Sequence, residues 1–67
     1  MDLATELAIR AVVRSLYQHD AIGGAQVRGI TVALKDAAGA AMDQCDPDAA
    51  KQLIALCKGI KLDTAII

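Results

Sequence analysis

The sequence contains no tryptophan, no phenylalanine and a single tyrosine, Tyr17. Aromatic side chains bury the most apolar area per residue, so any core must be assembled from small and branched aliphatic groups. Cysteine is scarce as well. Cys45 and Cys57 fall far below the density by which small secreted scaffolds offset a thin core, which excludes a disulfide framework and predicts reduced thiols. With one histidine, His19, and no Cys-x-x-Cys pair, the four-ligand pattern of structural zinc is missing. Charge of one sign is not in excess: seven Lys and Arg stand against eight Asp and Glu, a formal net charge of −1. That leaves no surplus for DNA phosphates or anionic lipid. No apolar run approaches the roughly 20 residues that cross a bilayer, and Asp2, Glu6, Arg10 and Arg14 interrupt any signal-peptide core at the amino end. The expectation is a soluble, cytoplasmic chain without a membrane or nucleic-acid partner.

Alanine is abundant instead, at 14 of 67 positions in a composition that is 55% hydrophobic. Such a chain is too apolar for a disordered tail and too short for two domains, so residues 1–67 read as a single helical domain. A domain of this length buries only about 60% of the surface its unfolded form exposes. Completion of the core by another chain is therefore expected.

Three stretches carry the periodicity of helices, near 100° per residue. The first runs from about Asp2, placed as N-cap, to His19, with Gly23-Gly24 as the stop after it. Ala8, Ile9, Val12, Val13 and Leu16 share one broad face and predict its core side, with Glu6, Arg10, Arg14 and Gln18 opposite. Leu3, Leu7 and Tyr17 fall among those polar residues. A helix apolar on nearly every side predicts contact with more than one neighbour. The second stretch, about Ala25 to Gln44, converges Val27, Ile30, Leu34, Ala37, Ala38 and Ala41 on one face. Its Gly29, Ala33, Ala37 and Ala41 recur at every fourth position, a ridge without bulk that allows close approach of a helix, unless the alanines serve helix propensity alone.

The third stretch has the sharpest start: Asp46 as N-cap, Pro47 where a missing N–H does no harm, Asp48 at the positive end of the helix dipole. Ala49, Ala50, Leu53, Ile54, Leu56, Cys57 and Ile60 share its apolar face, and Gly59 reads as the residue that ends it after Lys58. Residues Ile60 to Ile67 then read as an apolar tail that docks on its own helices or on a second subunit. The predicted fold is an all-α three-helix unit, with helices at about 2–19, 25–44 and 47–58, packed as a homodimer or higher oligomer.

No catalytic site, cofactor or metal is expected. His19 with Cys45 or Cys57 is the one nucleophile pairing available, yet a histidine in the last turn of a helix is favoured by the dipole alone. Gly23-Gly24 lacks the preceding strand and the lysine of a phosphate loop and reads as a turn. Tyrosine and arginine are enriched at binding hot spots, so Tyr17 with Leu3, Leu7, Arg10 and Arg14 forms the candidate recognition surface, joined by Ile66 and Ile67 of the tail. The expected function is a non-catalytic protein–protein interaction module, with a second copy and an unidentified protein as partners. Regulators, adaptors and inhibitors, including those of phages and mobile elements, are often this small and motif-poor. The alternative is a helix-turn-helix-like DNA-binding regulator presenting Gln26, Arg28, Thr31 and Lys35 of the second helix, against which stand Asp36, Asp43 and the near-zero net charge.

Overall fold

The computed structural model describes residues 2–65. Helices α1 (Leu3–Gln18), α2 (Gly24–Asp43) and α3 (Pro47–Ala65) follow one another, with no strand among the described residues. Each helix start satisfies backbone N–H groups that have no partner within the helix. Asp2 Oδ1 accepts the Thr5 N–H at 2.7 Å, and Asp46 Oδ1 accepts that of Ala49 at 3.1 Å. At α2 the cap residue, Gly23, has no side chain. Its own N–H instead donates to Gln26 Oε1 at 2.9 Å, one half of a capping box.

The first two helices end in the same way. The Ala21 N–H reaches back to the Leu16 carbonyl at 2.9 Å, and the Asp46 N–H to the Ala41 carbonyl at 2.9 Å, the long bond of a Schellman motif. The left-handed residues that close these turns are Asp20 and Cys45, both at φ 60°, and not glycine. The expected stop at Gly23-Gly24 is thus corrected: α1 has already turned at Asp20, and Gly23 opens α2. Asp46 serves both as the last residue of the α2 turn and as the cap of α3, so these helices are joined with no slack.

The expected end of the third helix at Lys58 is corrected too. α3 runs through Gly59 to Ala65, because Ile60 is wholly buried and Asp63 and Thr64, three and four residues on, turn to the same side. What reads as an alternating tail is two more helical turns, with Ile60, Asp63 and Thr64 inward and Lys61 and Leu62 outward. Ile66 and Ile67 lie outside the described residues.

α2 and α3 pack along much of their length; α1 lies chiefly on α3 and touches α2 least. The core is small: Val13, Val27, Leu56 and Ile60, edged by Tyr17, Ile22, Ile30 and Leu34. Ala38 and Ala50 are buried as well, and Cys57 donates its thiol to the Thr31 carbonyl at 3.7 Å. The inward face of α2 follows its periodicity, except that Ala37 is exposed and Thr31 is buried, its hydroxyl bonded to the Arg28 carbonyl at 2.8 Å. The small-residue ridge is not an internal contact. Each four-residue step turns about 40° further round the helix, so Gly29, Ala33 and Ala37 face outward, only Ala41 is half-buried, and a Cβ built on Gly29 would meet nothing within 4 Å. The principal extents are 38 × 24 × 16 Å. All three helices contribute to one small shared core.

A left-handed conformation costs an L-residue about 1–2 kcal/mol, less for Asp than for most others. Cys45→Gly is expected to raise unfolding stability by about 1 kcal/mol, and Asp20→Gly by about half that, in urea titrations. A loss of stability in both variants contradicts the cap geometry.

Candidate protein-binding surface

The side of α1 that meets α3 is not its most apolar one. Glu6, Arg10, Val13 and Tyr17, at i, i+4, i+7 and i+11, turn inward, whereas Ala8, Ile9, Val12 and Leu16 of the expected core face are exposed and only Val13 is buried. The reason is Arg10. Its Nε and Nη2 donate to Asp63 Oδ2 and Oδ1, each at 2.9 Å, in a two-pronged ion pair between α1 and the last turns of α3. The stem of Arg10 crosses α3 at Gly59, where a Cβ would lie 2.6 Å from Nε and 2.7 Å from Cδ. Gly59 has an ordinary negative φ, so it is needed here for the absence of a side chain and not for a turn. Among the described residues this is the one ion pair.

Arginine hydrogen bonding holds the Asp63 carboxyl below its ordinary value of 3.8, partly opposed by burial and aided by the charges of Arg10 and Arg14. Asp2 is lowered likewise, chiefly by its hydrogen bonds with Thr5. Both carboxylates secure α1, one at its cap and one across its middle.

The sequence-derived recognition residues separate into two groups. Leu3 and Leu7 are exposed, at 67% and 49%, and Arg14 is exposed near Leu7. Arg10 is engaged with Asp63, and Tyr17 is half-buried against the core cluster, where it walls a cavity of about 240 Å³ with Val27, Thr31 and Thr64. Ile66 and Ile67 lie outside the described residues. Of the DNA-contact set, Thr31 is buried and Gln26 is held in the α2 cap, so Arg28 and Lys35 alone remain free of a structural duty shown here. His19 Nδ1 sits 2.8 Å from the Ser15 carbonyl at the end of α1. No group of three His, Cys, Asp or Glu that could hold a metal forms among the described residues, and no described helix is long and apolar enough to cross a membrane.

Among the described residues, nine large apolar side chains are exposed at 38 to 67%: Leu3, Leu7, Ile9, Val12 and Leu16 on α1, Val32 and Met42 on α2, Ile54 and Leu62 on α3. Met42 and Ile54 flank a groove of about 460 Å³ between α2 and α3 whose floor is the buried pair Ala38 and Ala50. Small residues there hollow the surface, and Lys35 and Lys51 stand on its edges. Ile54, expected to face the core, is exposed on the wall of this groove.

Gly59→Ala places a methyl group in the path of Arg10, so it should destabilise the protein although alanine is the better helix former by about 1 kcal/mol. In an Arg10→Ala background the same change should stabilise by about that amount, a reversal of sign visible in a double-mutant cycle. Additive effects mean that Arg10 does not cross Gly59. For pH, a carboxylate whose folded pKa is lowered stabilises the fold above its unfolded value and loses that contribution as pH falls through the folded one. Stability should therefore be level above about pH 5 and decline below the ordinary 3.8 of Asp2 and Asp63. Asp63→Asn should flatten part of that decline in melts run across pH; an unchanged slope argues against the pair. Compared with protein-family models, curated proteins and solved structures, the chain matches none.

Proposed function

We propose that this protein is a small non-catalytic interaction module that works by covering apolar surface on other protein chains. One observation carries the reading: among the described residues, nine large apolar side chains remain exposed around a core cluster of four buried residues. Burial of apolar area is worth about 25 cal/mol per Å², and contiguous exposed apolar patches on soluble domains mark association surfaces. A regulator, adaptor or inhibitor of this kind needs no cavity chemistry. It needs a rigid frame, which the capped helices and the Arg10 to Asp63 pair supply. The DNA-binding alternative is weakened by the burial of Thr31 and the use of Gln26 in a cap, which leave it Arg28 and Lys35.

The test is a photo-reactive residue placed at Leu3, Met42 or Leu62, and separately at the exposed charged positions Asp36 and Asp43, in cells that make the protein. Discrete cross-linked adducts are expected from the apolar set and not from the charged set. Equal, diffuse labelling from both sets, or none from either, overturns the reading.

A further inference from the structure

The exposed apolar positions differ in what surrounds them. Leu7 shares a shallow pocket with Arg10, Arg14 and Asp63. The groove beside Met42 and Ile54 has Lys35 and Lys51 on its edges. Val32 lies one helical turn from both Arg28 and Asp36, and Leu62 one turn from Lys58. Each of these sites calls for a partner with charges of its own.

One face does not. Thr5, Ile9, Val12 and Leu16 follow a spacing of four, three and four residues along α1, the alternation of a coiled-coil seam. Ala8 and Ser15 border it on its open side, while Glu6 and Val13 on the other side are turned toward α3. From Thr5 to Leu16 the seam presents no charge; Asp2, at its margin, is engaged as the N-cap. Ile9, Val12 and Leu16 are 38%, 59% and 41% exposed, and a concavity of about 250 Å³ lies between Ala8, Ile9, Val12 and Val13.

A twofold contact sets a surface against an identical copy of itself, so any charge on it meets its own kind. An uncharged strip with heptad spacing and small flanks meets itself without that penalty, and its side chains supply both knobs and hole. We infer that α1 pairs with α1 of a second copy along Ile9, Val12 and Leu16, the contact centred on Val12. This rests on the interaction-module reading and adds to it the partner and the seam. Thr5 to Leu16 spans about 18 Å of helix at 1.5 Å per residue. A single pair of helices that short buries less than the roughly 1,600 Å² of a standard interface, so the association expected is a weak one, sought at high protein concentration. The charged apolar sites stay open in such a dimer for a different protein.

Sedimentation of the full chain from about 5 to 500 μM tests the seam. Wild type should pass from monomer to dimer over this range. Val12→Glu should weaken association about 100-fold or more, with helix content unchanged, because it sets two carboxylates face to face at the centre of the contact. Val32→Glu, on the outer face of α2, should dimerise like wild type. Val12→Arg should also be monomeric alone, and its mixture with Val12→Glu should restore a dimer of one copy of each. A wild type that stays monomeric at the highest concentration overturns the seam but leaves the module reading to the cross-linking experiment. So does a dimer that Val12→Glu fails to dissolve, which places self-association elsewhere on the molecule.

Discussion

The passage of Arg10 across Gly59 to Asp63 decides how this molecule is arranged. An arginine stem can lie flat on a helix only where no side chain rises beneath it, and α3 offers that gap one turn before the carboxylate that receives the guanidinium. Once Arg10 is anchored, the rotation of α1 about its axis follows, since Val13 and Tyr17 lie one and two turns further along the same side. They enter the core, and Ile9, Val12 and Leu16 are carried out to the surface. The pair is half-buried, its side chains 28% and 13% exposed, and ion pairs near a surface contribute little to stability on average. Here its consequence is orientational: two parallel hydrogen bonds select one face of a helix that has apolar residues on nearly every side.

The rest of the frame is rigid for local reasons. α2 and α3 are joined by a turn in which Asp46 ends one helix and caps the next, and small residues such as Ala38, Ala50 and Thr31 are buried beside Val27, Leu56 and Cys57. Such packing orders the chain but hides little area. With no Phe or Trp, the largest fully buried side chains are Leu56 and Ile60. The scarcity of bulk seen in the composition thus reappears as a small core with large apolar side chains left at the surface. The proposed interaction role rests on these exposed residues.

Much of the fold was legible in the sequence because helix signals are local. Asp2 and Asp46 cap as their positions suggest, and the inward side of α2 follows Val27, Ile30, Leu34 and Ala38 at helical spacing. The misreadings share a cause. In the sequence glycine reads as punctuation, but Gly59 is interior and makes room for a side chain 49 positions earlier in the chain, while Asp20 and Cys45 make the left-handed turns. Periodicity places Ile9, Val12 and Leu16 together correctly, yet it cannot say which apolar stripe the neighbouring helix takes when a charge pair competes for the choice. The bond between Arg10 and Asp63, 53 residues apart, left no mark in either local pattern. Tyr17 and Arg10 were legible as important and not as inward-facing, because a polar neighbourhood in sequence is no guide to a cross-helix partner.

The rotation of α1 is the claim on which the frame and the seam both stand, and thiol accessibility in dilute protein measures it directly. In a Cys45→Ser background, with buried Cys57 as the protected internal reference, a cysteine placed at Val12 should react with a maleimide at nearly the rate of an exposed thiol. One placed at the adjacent Val13 should be protected almost as well as Cys57. The reverse order, Val12 shielded and Val13 open in the monomer, would show α1 turned the other way and remove the foundation of the account.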